Sequence, residues 1–469
     1  MLRRTGLFMD ASTSLRKSRK KRKCPQKGRK KGKGEFEGED RISSLPDGIL
    51  HHILSFLPIH NAIHTSLLSK RWKCIWKGIS VLDLNETVLS CDSVYEKIDF
   101  INFVDNILRH HDPTVVIQSF HLFYMTIIDE AHLTAWVSYI LNRKVLEINL
   151  FIDGECPIDF PSSLFACHSL KKVDLTGMLS TFELPSSVCL PNLEFLLLKF
   201  INFSCGEGIQ EVTFNFPVLD EFILIDSVWS EIKDVNIFAP ALQRLVLDNE
   251  EEDDDEFYTD CEVKIYAESL LSIKVMSGLT YGVSLYNVSS LAAAYINLSG
   301  ESHFKGRSNR LLEGLYSVKD LILPYPTLRQ FSSVKDLLIL SNLKRLTVID
   351  TNIVTGDYLM ELFCSLSSIE ALCIMNGLDE YSRKGCNWTV ERISQSFLSQ
   401  LKSFEIRNFC GNETELTLVE FLLKNASALE KITIVSSSTL SEYPEIKLAI
   451  TKDLLICPRG QLSCVIDFS

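Results

Sequence analysis

The chain has 469 residues, 46% of them hydrophobic and 23% charged, a composition that suits a folded protein and excludes a wholly disordered one. No apolar run approaches the roughly eighteen residues a membrane-spanning helix needs, and the opening MLRRTGLFMD lacks the apolar core and cleavage site of a secretory signal, so a soluble intracellular protein is expected. The net charge of −12 joins two parts of opposite sign, because residues 1–34 hold fourteen Lys/Arg against a single Asp and the remainder is strongly acidic.

Residues 1–39 carry their charge in blocks among Gly, Ser and Pro. Like-charge blocks repel one another and bury almost nothing, so this segment is expected to be a disordered basic tail. Arg19, Lys20, Lys21, Arg22 and Lys23, followed by Arg29, Lys30 and Lys31, form two clusters in the pattern of a nuclear-import signal. That pattern points to the nucleus, the cytoplasm or both. Attraction to nucleic-acid phosphates and plain solubilisation are the rival readings. No aromatic residues interleave the clusters, so a dedicated nucleic-acid surface is not expected.

Three short helices are predicted next. Ser43-Ser44 ahead of Leu45-Pro46-Asp47 reads as an N-cap, a proline in the first turn and a carboxylate at the positive helix end. Ile49, Leu50, Ile53, Leu54 and Leu57 then recur at helical spacing until Pro58 stops the helix. A second helix is predicted over Ala62–Leu68 and a third from Ser69 through Trp76. So small a unit buries too little surface to stand alone, and its leftover apolar side chains suit completion by a partner.

Here the string LPDGILHHILSFLPIHNAIHTSLLSKRWKCIWKGISVLDLNE resembles the plant F-box motif. It has the Leu-Pro opening, the Ile-Leu-Ser-x-Leu-Pro middle, and the Leu-Ser-Lys-Arg-Trp end with a second Trp four residues on. The resemblance implies an F-box at 40–86 that docks on the small adaptor of an SCF-type ubiquitin ligase, and through it on a cullin. The implied adaptor-binding residues are Leu45, Pro46, Ile49, Leu50, Ile53, Leu54, Leu57, Trp72 and Trp76. Some of these would equally serve to close the three-helix core, Ile53 and Trp72 above all, whereas Pro46 and Ile49 favour contact.

Beyond it, the pattern φ-x-x-φ-x-φ begins at Val145, Leu170, Leu193, Leu219, Leu242, Leu270, Leu291, Val318, Leu343, Ile369, Leu401 and Leu429. The spacing averages about 26 residues, inside the 20–29 range of leucine-rich repeats. Each unit is a strand plus a return segment that cannot bury its own apolar face, so neighbours must stack. The expected architecture is α/β: a short three-helix F-box, then a curved leucine-rich-repeat solenoid with a parallel sheet at 87–395, its start capped by 114–124. Residues 396–469, with Glu420–Ala426, Leu429-Glu430-Lys431 and Pro458-Arg459-Gly460, resemble the FBD domain of plant F-box proteins.

Chemistry is sparse. The fourteen cysteines include no C-x-x-C pair, and no phosphate loop, nucleophile elbow or H-E-x-x-H helix occurs. His60 and His64 sit four apart but lack a third ligand, so no metal site and no cofactor are expected. The pairs His51-His52 and His110-His111 read as solvated helix-face residues. The acidic run Glu250–Glu256 reads as a solvated loop, with docking of a basic target or of the basic tail as its alternatives. Within each strand, the residue between the last two φ positions should project from the open face of the sheet. Leu197, Ile223 and Val246 are then consecutive and apolar, and with Phe195 they would form a patch rimmed by Asp174, Glu194, Glu221 and Arg244. A register shifted by one would turn them into core.

These observations predict a non-enzymatic substrate-recognition subunit, in which the F-box recruits the ligase and the repeats hold an unidentified protein target. A repeat scaffold acting outside ubiquitination is the first alternative, and a nuclear nucleic-acid binder using the basic tail is the second.

Overall fold

In each repeat a five-residue stretch alternates apolar with mixed side chains, and that alternation sets one face inward. In Glu221–Ile225, for example, Phe222 and Leu224 are buried while Glu221, Ile223 and Ile225 are half-buried. The computed structural model describes residues 41–88, 95–125, 128–153, 157–249, 259–276, 281–298, 310–330, 340–349, 356–366, 368–378, 388–390, 393–461 and 463–469. The basic tail at 1–39, with its import clusters, and the acidic run Glu250–Glu256 lie outside the described residues.

Among the described residues sixteen strands form one long sheet, fifteen of them in succession from Val81–Asn85 to Val465–Phe468, with Val228–Trp229 pairing to the side. Every pairing along it is parallel. The twelve open-face positions expected from Asn149 to Thr433 fall on one continuous rung, which Asp83 and His121 extend at one end and Asp467 at the other. The register is therefore the expected one along the whole array.

The sheet is longer than the repeat pattern by three strands. Val81–Asn85, inside the F-box motif, pairs with Ser119–Tyr124. Residues 114–124, expected as a cap, thus supply an internal strand: Phe120, Leu122 and Tyr124 point inward, and both strand edges are hydrogen-bonded. At the other end Ser403–Phe409, Lys431–Ser436 and Val465–Phe468 continue the sheet through the FBD-like region.

The return segments are of two kinds. Glu130–Leu141 and Glu413–Asn425 are helices, capped by Asp129 and Asn412 side chains that accept the N–H of His132 and Glu415. In the middle of the array Ser187–Cys189, Glu211–Asn215, Asp234–Phe238, Glu262–Tyr266 and Gly282–Tyr286 are strands, forming a second, five-stranded parallel sheet. The segments EVTFN, DVNIF and EVKIY alternate with period two, so a strand buries their apolar side chains where a helix would scatter them. A run of ring contacts fills this part of the core: Phe165 on Phe182 at 4.4 Å, Phe182 near Phe203 at 6.4 Å, and Phe203 stacked on Trp229 at 4.4 Å.

The F-box begins with α1 (Asp47–Leu54), α2 (Ile59–His64) and α3 (Trp72–Ile75). The second helix starts three residues earlier than expected because Pro58 serves as its N-cap, and a 3-10 turn, Thr65–Leu67, finishes it. The third starts at Trp72, not Ser69, with the Ser69 hydroxyl accepting the Trp72 N–H at 3.5 Å. Residues 41–46 form a separate small unit, a turn closed by the Leu45 N–H donating to the Ile42 carbonyl at 3.1 Å.

His111 departs from its expected solvated role. It is buried at the end of helix Tyr95–His110 and donates from Nε2 to the Ile79 carbonyl at 2.8 Å, and burial holds its pKa below the ordinary histidine value. His110 stays exposed, with Nδ1 on the Asn106 carbonyl.

Candidate functional site

Two surfaces gather the predicted site residues. The first is on the three-helix unit. A stripe made of Ile49, Leu50, Ile53, Leu54 and Leu57 is wider than one contact face, since successive residues are about 100° apart on a helix. The structure divides it. Leu50 and Leu54 turn inward against a core that includes Ala62, Trp72, Ile75 and Trp76, all of them buried. Ile49, Ile53 and Leu57, at i, i+4 and i+8, stay on the outside.

The expected docking set is thus split. Leu50, Leu54, Trp72 and Trp76 are buried, so they serve the interior of the three-helix unit more than its surface. Leu45 is half-buried and Pro46 exposed in the turn that precedes the helices in sequence. Phe56, Leu67 and Leu68 were not expected on the surface, yet with Ile49, Ile53 and Leu57 they range from 39% to 86% exposed. Six large apolar side chains open to solvent within twenty residues are unusual in a self-sufficient domain. Beside them the guanidinium of Arg71 pairs with Asp47, tying α3 to the start of α1. Phe56 and the Leu67-Leu68 pair follow the ends of helices, where the 3.6-residue period no longer marks a face; their apolar character next to Pro58 and Ser69 was the only available signal.

The second surface is the open face of the long sheet. Leu197, Ile223 and Val246 stand opposite one another on three adjacent strands, and Phe195 occupies the next rung beside Glu221 and Arg244. All four apolar residues are half-buried, screened by their neighbours and turned away from the core formed by Leu196, Leu198, Phe222, Leu224, Leu245 and Leu247. The charged rim is organised. Lys172 lies over the Phe195 ring at 5.0 Å, Lys171 pairs with Glu194 at 2.8 Å, and Arg244 bridges Asp220 and Glu221. Asp174, one strand from Leu197, accepts from the Asn149 amide at 2.9 Å. Burial pushes its carboxyl above the usual carboxylate range, partly opposed by Lys172 and His121. The geometry fits recognition by contact.

His60 and His64 face each other edge-on at 6.1 Å, and no group of three or more metal-ligating side chains occurs among the described residues. No described helix is long and apolar enough to cross a membrane.

Comparison with known proteins finds two family matches in this chain. The F-box domain family matches residues 42–83 and the FBD family residues 393–434. Among curated relatives from Arabidopsis thaliana, an FBD-associated F-box protein is 27% identical, the alignment covering 92% of this chain and 100% of that one. F-box/LRR-repeat protein 13 is 28% identical, over 92% of this chain and 96% of its own length. An F-box/FBD/LRR-repeat protein is 26% identical, over 85% and 93% respectively. Of solved structures, an internalin from Listeria monocytogenes aligns with 76% of this chain and 92% of its own at 12% identity and a TM-score of 0.30. At that score the solenoid assignment rests on the strand order and register alone.

Proposed function

We propose, from a chain that carries an F-box and an FBD domain on a parallel-strand array and is similar over most of its length to plant F-box/FBD/LRR-repeat proteins, that it is the substrate-recognition subunit of an SCF-type ubiquitin ligase. The observation that supports this most is the apolar outer face of the F-box. It leaves Ile49, Ile53, Phe56, Leu57, Leu67 and Leu68 partly or largely exposed, and covering them would contribute about 25 cal/mol for each Å² removed from water. Leu45 and Pro46 precede this face in the sequence and belong to the proposed docking set. The array would then hold the target near the transferred ubiquitin, so that its contribution is positioning, not side-chain chemistry.

Ile49→Asp/Ile53→Asp is the direct test. Both side chains are open to solvent, so folding stability should change by no more than about 0.5 kcal/mol per site. Affinity for the purified ligase adaptor, measured by calorimetry, should fall on the order of 100-fold. Full-strength binding by the variant, or none by the folded wild type, removes the ligase role. The chain would then be a repeat scaffold acting outside ubiquitination.

The target site proposed on the array is the patch of Phe195, Leu197, Ile223 and Val246. Leu197→Asp/Ile223→Asp sets two carboxylates opposite each other on neighbouring strands and should cost roughly 2 kcal/mol of stability. Leu196→Asp, one residue along the same strand, places a charge in the core and should prevent folding. Target capture should be lost in the folded double variant; capture at the wild-type level moves the target site elsewhere. The clusters Arg19–Lys23 and Arg29–Lys31 are proposed as the import signal, to be read from the distribution of a protein lacking residues 1–34.

A further inference from the structure

The open face of the five-stranded sheet carries a feature that neither docking surface uses. One rung of that sheet runs Cys189, Asn215, Phe238, Tyr266, Tyr286. The three rings are stacked face to face. Phe238 lies 4.6 Å from Tyr266 at an interplanar angle of 13°, and Tyr266 lies 4.8 Å from Tyr286 at 16°. These distances match the strand spacing of a sheet, so the ladder follows from register alone. Phe238 and Tyr286, at its two ends, are each about two-fifths exposed.

The ladder stops at Asn215. A cleft of about 480 Å³ runs across the sheet beside the ladder and reaches this end of it. Ser187, Thr213 and Asn215 contribute to it on the small-residue side, Phe238, Pro240 and Tyr266 on the ring side, and Glu268 and Asn287 complete its lining. Asn287 is held in the left-handed backbone region at φ 60°. Among the described residues no side-chain hydrogen bond engages Ser187, Thr213, Asn215, Glu268 or Asn287. The cleft therefore combines a free ring face with five unengaged polar side chains. Among the described residues that line it, the charged one is the Glu268 carboxylate.

We propose that this cleft binds a neutral sugar ring. A pyranose has one flat face of C–H bonds whose partial positive charge suits the negative face of an aromatic ring. Seated over Asn215, one strand spacing from Phe238, it continues the ladder at its own pitch. Its hydroxyls then meet the amide of Asn215 and the hydroxyls of Ser187 and Thr213 on the neighbouring strand positions. The polar lining decides against the main rival, an aromatic side chain of a bound protein. Such a ring would cover the same polar groups without hydrogen-bonding to them, and each group left unpaired would weaken its binding.

Saturation-transfer NMR on the full chain, with maltotriose and triacetylchitotriose as probes, tests this. Transfer from wild type to at least one of them is expected, with a dissociation constant on the order of 1 mM. Phe238→Ala should weaken it at least tenfold by removing the ring face. Asn215→Phe adds the missing ring of the ladder, should leave the melting temperature unchanged or higher, and should abolish transfer. Ser187→Arg, at an exposed position, fills the cleft without touching the ladder and gives the same reading if the Asn215 variant does not fold. The proposal is overturned if folded wild type transfers to neither trisaccharide, or if transfer persists in the cleft-filling variants. It is also overturned if a tyrosine-bearing peptide, and no sugar, protects the cleft.

Discussion

Alanine at Glu415 is expected to destabilise the C-terminal end of the array by about 3 kcal/mol or more. Glu415 is fully buried at the third position of helix Glu413–Asn425. Its Oε2 accepts the N–H groups of Cys410, Gly411 and Asn412 at 2.9, 2.8 and 3.3 Å, and its Oε1 accepts that of Leu378 at 3.0 Å. The Asn412 amide returns a bond to the Leu378 carbonyl at 2.7 Å. One carboxylate thus holds a helix start, the turn leading into it and a loop more than thirty residues earlier in the chain. Truncation would leave four backbone donors without an acceptor in a site that excludes water. Gly377 belongs to the same arrangement: its φ is 68°, and a Cβ there would lie 2.6 Å from Glu415 Oε1. Glu415→Gln keeps an oxygen acceptor and should lose less. Urea unfolding read by hydrogen exchange over 403–436 separates the three proteins, and equal stability for the alanine variant would refute the account.

The same residue gives a pH signature. Burial raises the Glu415 pKa above the ordinary glutamate value, outweighing the four donors that lower it. A group with a raised folded pKa stabilises the fold most below its unfolded pKa, and that increment disappears as pH rises through the folded value. Wild type should therefore lose stability relative to Glu415→Gln as pH is raised across that window.

Much of the architecture was legible because it depends on period alone. A strand that sends Leu196 and Leu198 inward must send Leu197 outward, and repetition of that rule every 26 or so residues yields the sheet, its register and the patch. What period does not encode is what a segment packs against. Leu50 and Ile49 are equally apolar and adjacent; only the positions of Trp72, Ile75 and Trp76 decide that Leu50 is core and Ile49 surface. The return segments posed the same difficulty. Repeat spacing requires a return but accepts a helix or a strand, so the short sheet and its ring ladder were hidden behind segments of three to five residues, too brief to stand out. His111 was misplaced for a related reason. As the second of two adjacent histidines it looked solvated, whereas one position further around the helix faces the Ile79 carbonyl.

Trp229 provides the second test of how that hidden part of the core is held. It is 1% exposed, stacks on Phe203 at 4.4 Å, and meets Phe214 and Tyr281 edge-on at 6.2 and 6.4 Å. Phe203 lies in the long sheet and Phe214 in the short one, so the indole is a filler between the two layers. Trp229→Ala leaves a cavity that rigid strands on both sides cannot close, and a loss of about 3–5 kcal/mol is expected. Trp229→Phe should behave quite differently. Among the described residues the indole Nε1 has no hydrogen-bond partner, so a phenyl ring gives up part of the packing but also removes a buried donor that stabilises nothing. Its expected cost is below about 2 kcal/mol. Near-equal destabilisation by phenylalanine and alanine would mean that the N–H, not the ring volume, holds the site. The predicted separation of the two variants in chemical denaturation assigns the stability to packing between the sheets.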